Sequence, residues 1–189
     1  MTTATPLSAR LFEAVPSRAA RGAIGITLFA VLTALGARIA LPLPGTPVPF
    51  TFQVLFVLLA GALLGPGRGA LSQIAYLSAG ATGLPVFAAG GGLAYLLGPT
   101  GGYLLAYPLA AYLVGWLMGP SLHRAVLALS VGLLAIYAGG LSWLSVWVSP
   151  DMAFVLGLQP FVLADLVKAA LVLLIVRRYR DSALRFFTR

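Results

Sequence analysis

Three charged residues interrupt the long apolar stretches of this 189-residue chain: Arg38, Asp165 and Lys168. An ionisable group at the centre of an apolar helix costs about 2.5–3.5 kcal/mol on membrane-insertion scales. Such groups usually face a cavity or a partner, and so point to function. Asp165 and Lys168 stand three residues apart, which puts a carboxylate and an ammonium on one helix face. The pair is either a self-neutralising lock between helices or a ligand site; the cost of burying it favours the ligand site. Arg38 near the end of a span either snorkels to the interface or joins that site.

Other polar groups are clustered. Thr51 and Gln53 begin a span after a proline-rich run, and a glutamine there offers both a donor and an acceptor. The segment 83–103 is too apolar for a solvated loop. Irregular backbone at membrane depth is tolerated only when buried in protein or lining a cavity. Its glycines, Gly91 among them, allow close backbone approach to a ligand. Phe87, Tyr95 and Tyr103, with Tyr76 upstream, are candidates for an aromatic wall. The glycine run has no Gly-Lys-Ser/Thr after it and no strand before it, so it is not a phosphate loop.

Catalysis is poorly supported. The chain has no cysteine and a single histidine, His123. Cysteine chemistry and a multi-histidine metal site are therefore excluded, and no enzyme, metal or cofactor is expected.

The elements that position these groups follow from composition. Sixty per cent of the residues are hydrophobic and 8% are charged. A soluble domain carries about 25% charged residues, because its surface must meet water. The net charge of +8 is scattered rather than gathered into a stripe, so nucleic acid is not an expected partner. The lipid bilayer is. A spanning helix needs about 20 mainly apolar residues. Uncharged stretches bounded by glycine and proline place six spans near 22–41, 50–65, 69–82, 101–119, 123–147 and 160–177. The expected fold is an all-α integral membrane bundle, with an N-terminal tail at 1–21 and a basic C-terminal tail at 178–189. Spans two and three are short, and so tilt or continue into the loops.

With six spans, ten of the twelve Lys and Arg residues fall on one side. The positive-inside rule makes that side, with both termini, cytoplasmic. Five or seven spans would split the basic tails. Asp165 then lies about 8 Å below the outer start of span six, so its site opens outward. In span one, Ala30 and Ala34, with Ala37 a turn on, give the small-residue spacing that lets helices pack closely. That spacing is common in alanine-rich chains.

Four stretches carry a family resemblance: Val48-Pro-Phe-Thr-Phe-Gln53, Gly83-Leu-Pro-Val-Phe-Ala88, Leu97-Gly-Pro-Thr-Gly-Gly-Tyr103 and Asp165-Leu-Val-Lys168. Together they resemble the BioY family, the biotin-binding S components of energy-coupling-factor (ECF) transporters. The resemblance implies a six-helix protein of the cytoplasmic membrane that takes biotin from outside. It implies a transmembrane T component and two ATPases as partners, with ATP used only by those subunits and no cofactor held by this chain. The family's docking motif on helix one matches Ala30 and Ala34. Biotin's ureido ring supplies two N–H donors, which suits Asp165 as acceptor, with Gln53 or Thr51 completing the shell. Lys168 either balances Asp165 or reaches the biotin carboxylate. The run Ala88-Ala89-Gly90-Gly91-Gly92 departs from the family pattern. An S component for another B vitamin, or a stand-alone carrier, is the alternative.

Overall fold

The computed structural model describes residues 17–188, which are mostly helical. Helix α1 (Arg18–Arg38) is capped by Ser17, whose side chain accepts from the Ala20 amide. A short antiparallel hairpin follows, with β1 (Ala40–Leu41) paired to β2 (Phe50–Thr51). Helix α2 (Gln53–Leu64) and helix α3 (Pro66–Ala81) meet at Gly65. Its φ of +79° is one that glycine adopts readily, and Pro66 then starts α3, where its missing N–H costs nothing. A one-turn helix α4 (Leu93–Leu96) lies in the next loop. Helices α5 (Gly101–Leu117), α6 (Leu122–Leu144), α7 (Pro150–Gly157) and α8 (Val162–Thr188) complete the chain.

Helix α2 is the hub. Most of its residues are buried, and it packs on α1, α3, α5 and α8. The tightest pair is α5 on α6. Gly102 and Gly139 allow it, because a Cβ at Gly102 would strike the Gly139 carbonyl and Trp143. The outer surface is apolar. Ile24, Leu28, Val31 and Leu35 line one exposed stripe of α1, and Leu163, Leu166, Leu171 and Leu174 are exposed on α8. Polar groups turn inward. Thr33 Oγ1 lies 2.8 Å from the Phe29 carbonyl and 3.3 Å from Gln73 Oε1, which links α1 to α3. Gln73 Nε2 donates to Ser72 Oγ at 3.0 Å. All three side chains are fully buried, so lipid meets none of these groups.

Among the described residues two helices, α1 and α6, are long and apolar enough to cross a bilayer alone. The pair α7–α8, bent by 51°, supplies a third candidate. The bend falls at Pro160, which has no N–H to donate and disfavours helix at Gln159. Helices α2 and α5 are apolar but shorter.

Each expected span has a helix, but the bounds differ: the first begins at Arg18, inside the expected N-terminal tail, the third begins at Pro66, and the fourth and fifth end at Leu117 and Leu144. The first span stops at Arg38, because the chain turns into the hairpin rather than continuing to 41. Phe50 and Thr51 are strand, so the second begins at Gln53. The segment 178–188 is no separate tail: α8 runs through it to Thr188, and Phe187 packs near Gly25 of α1. Arg10, Glu13 and Arg189 lie outside the described residues.

Candidate ligand site

Asp165 enters the bundle on the first turn of α8, where the helix dipole favours a carboxylate. It is only 5% exposed. Lys168 Nζ donates to Asp165 Oδ1 at 2.6 Å. Tyr137 Oη, from α6, donates to Asp165 Oδ2 at 2.6 Å. The ammonium also sits 4.2 Å from the centroid of the Phe50 ring, on β2. A buried ion pair gains little unless further hydrogen bonds and contacts satisfy it. Tyr137 and the Phe50 face supply them here. A carboxylate has about four acceptor positions, so Asp165 keeps capacity for a further donor.

A second chain of hydrogen bonds holds the opposite wall. Thr51 Oγ1 donates to Gln53 Oε1 at 3.0 Å, and Gln53 Nε2 donates to Tyr76 Oη at 2.7 Å. Tyr76 Oη donates to the Val86 carbonyl at 3.2 Å. The hairpin, α2, α3 and the 83–100 loop are thereby tied together. The floor comes from α5 and α6, through Tyr103, Leu104, Tyr107 and Ile136. Tyr103 Oη donates to the Gly157 carbonyl at 2.8 Å, which anchors the end of α7.

These walls enclose a chamber of about 60 Å³. A wider recess of about 400 Å³ adjoins it and shares Pro49, Tyr95 and Thr100 with it. The chamber offers an acceptor at Asp165, an amide at Gln53, a hydroxyl at Thr51 and aromatic faces. That chemistry suits a small molecule with N–H donors on a compact head and an apolar body.

Of the expected site residues, Asp165, Lys168, Gln53, Thr51, Tyr95 and Tyr103 line the chamber. The others do not. Tyr76 lies behind Gln53 and orients its amide. Phe87 is fully buried, stacked behind Tyr95 at 5.1 Å and edge-on to Tyr76 at 5.4 Å. Gly91 approaches the chain rather than the chamber, since a Cβ there would strike the Leu84 carbonyl. Its neighbour Gly92 has φ +96° and donates its N–H to Gly80 at the end of α3, at 2.7 Å. Arg38 is exposed at the end of α1, away from the chamber lining. Ala37 is 0% exposed within its own bundle, so it presents nothing to a second chain. Ala30 and Ala34 are half-buried.

Sequence reasoning missed Tyr137, Tyr107 and Phe50. Tyr137 had a signal: a phenol inside the uncharged stretch 125–150 must find an acceptor, and few exist in an apolar bundle. Phe50 was passed over because its ring faces a cation only through the fold.

A helical bundle with an apolar exterior and a chamber beside a buried acid–base pair defines a membrane protein built to hold a small ligand. The BioY family pattern matches residues 6–185. The "Probable biotin transporter BioY" of Pyrococcus horikoshii is 46% identical over 83% of this chain and 94% of its own. The "Biotin transporter BioY" of Thermotoga maritima is 43% identical, covering 81% and 92%. A crystal structure titled as the S-component for biotin from an ECF-type ABC transporter superposes with a TM-score of 0.78. It is 28% identical and covers 86% of this chain and 92% of its own. The chain belongs to the BioY family, a family of transporter components rather than enzymes.

Proposed function

We propose that this protein captures biotin outside the cell, as the substrate-binding S component of an ECF transporter in the cytoplasmic membrane. The observation that carries the reading is the Asp165–Lys168–Tyr137 cluster, set in an aromatic chamber within a BioY-family chain. Asp165 accepts from the ureido N–H groups. Lys168, held at 2.6 Å by that carboxylate, balances its charge rather than reaching the biotin carboxylate. Gln53 and Thr51 meet the ureido carbonyl and its flank. Tyr103, Tyr107 and Tyr95 enclose the thiophane ring and the start of the chain. The carboxylate end lies toward the wider recess, where water reaches it.

Ligand pockets usually hold 300–1,000 Å³. A chamber of about 60 Å³ takes biotin only when Tyr95 and Pro49 part and join it to the recess. Six spans, α1, α2, α3, α5, α6 and α8, and both termini in the cytoplasm complete the reading. The basic residues at the ends away from the chamber support that orientation. Ala30 and Ala34 meet a T component along one flank of α1, and two partner ATPases supply the energy.

Hydrogen bonds to a charged buried group contribute about 1.5–3 kcal/mol each. Titration calorimetry in detergent should therefore show biotin binding weakened at least about tenfold by Asp165→Asn. Unchanged affinity would remove Asp165 from the site. A thermal response to another B vitamin, with none to biotin, would reassign the chain to a sister S component. Uptake in cells lacking every T and ATPase subunit would instead support a stand-alone carrier.

A further inference from the structure

A second recess, of about 190 Å³, lies at the opposite end of the bundle from the chamber, between the α5–α6 turn and the end of α8. Arg177, Arg178 and Arg180 line it, and the Arg124 side chain lies against Gly119 at its edge. None of the four arginines makes an ion pair among the described residues. Arg180 bridges the recess: its Nη2 donates to the Met118 carbonyl at 3.1 Å, capping α5. Its Nε is buried with no hydrogen-bond partner among the described residues. Arg124 and Arg180 flank a site that Asp181, the one acidic group lining it among the described residues, leaves strongly positive.

The walls are not uniformly polar. Ala125 and Val176 form a buried apolar floor, and Leu122 and Val126 continue it onto an exposed face of α6. Like charges gathered around a hydrogen-bond donor without an acceptor call for an anion with several oxygens. An apolar track leading away from them calls for an acyl chain. Basic pockets between membrane helices bind anionic headgroups in this way.

We propose that this recess binds a phosphate-type anion, supplied in the membrane by the headgroup of an anionic phospholipid. Arg124 and Arg180 grip the phosphate, Arg177 and Arg178 screen it, and the acyl chain runs along Leu122 and Val126. The proposal does not depend on the identity of the transported ligand.

The test uses the full chain in detergent, with phosphatidylglycerol, phosphatidylcholine or inorganic phosphate added separately. Native mass spectrometry reads lipid retention, and the unfolding midpoint reads stabilisation. Phosphatidylglycerol should be retained and should raise the midpoint, while phosphatidylcholine does neither. Affinity should fall about fivefold per arginine removed in Arg124→Gln/Arg180→Gln. Raised salt should weaken the binding, and Arg38→Gln, at the other end of the bundle, should leave it unchanged. Protection by inorganic phosphate alone would support the same site with a soluble source. Because Arg180 also caps α5, Arg124→Gln/Arg178→Gln serves as a second pair that leaves the Met118 bond intact, with helicity checked by circular dichroism. Equal retention of the two lipids, or wild-type retention by the two double variants, would overturn the proposal.

Discussion

Asp165 is gripped on both oxygens, by Lys168 on one and Tyr137 on the other, each at 2.6 Å. Removing one donor from a buried charge costs more than an average hydrogen bond, because the oxygen is left without water. Tyr137→Phe should therefore lower the stability of the ligand-free protein by about 1.5–3 kcal/mol. A ligand N–H then refills the vacant position, so the biotin-induced rise in unfolding temperature should be larger in the variant than in the wild type. Thermal unfolding with and without biotin checks both, and a smaller rise would show that ligand and phenol do not compete for Oδ2. At this scale Asp165 and Lys168 were legible in sequence, since spacing puts them on one face and burial cost marks them. Tyr137 lies 28 positions away on another helix, and no local pattern relates the two.

Between α3 and the loop after it, one close contact sets the chamber wall. Gly80 of α3 faces the Phe87 ring so closely that a Cβ would strike it. Phe87 in turn backs Tyr95, which lines the chamber. The ring is fully buried and edge-on to Tyr76, so it has nowhere to retreat. Overpacking a core position costs about 1–3 kcal/mol. Gly80→Ala should lower the unfolding midpoint and weaken biotin binding together, as Tyr95 is pushed inward. Gly67→Ala, with nothing within 4 Å of its Cβ, should change neither. Equal effects of the two would show that the wall is not set by this contact. The sequence marked 83–103 as irregular backbone buried in protein or lining a cavity; the segment 83–100 instead buries only Phe87 and Leu96, leaves Leu84, Leu93 and Leu97 exposed, and gives way to α5 at Gly101. The sequence also assigned the glycines to a ligand, whereas Gly91 and Gly92 serve the chain's own close turns. Composition shows that backbone must approach something closely, and only the fold shows what.

At the scale of the whole molecule, the two ends of the bundle differ in kind. One carries the chamber, the hairpin and the apolar 83–100 loop, and the other carries arginines from α3, α6 and α8. The absence of cysteine makes the orientation directly measurable. Pro44→Cys, in the exposed hairpin turn, should react with an impermeant maleimide added to intact cells. Ser182→Cys, exposed on the extension of α8, should react only after permeabilisation. The reverse pattern would invert the proposed topology. The membrane class, the order of the six longer helices and the placement of Asp165 and Lys168 on one helix face were determined by the sequence alone, whereas the short helices α4 and α7 were not. Each legible feature depends on hydropathy, chain breakers or spacing within one element, which are local quantities. Tertiary structure decided that Tyr137 and Phe50 hold that pair, that Phe87, Tyr76 and Gly91 stand behind the chamber, that Ala37 is closed to partners, and that α8 runs on to gather four arginines around a recess. Those outcomes depend on which faces meet across helices distant in the chain, and hydropathy carries no record of that pairing.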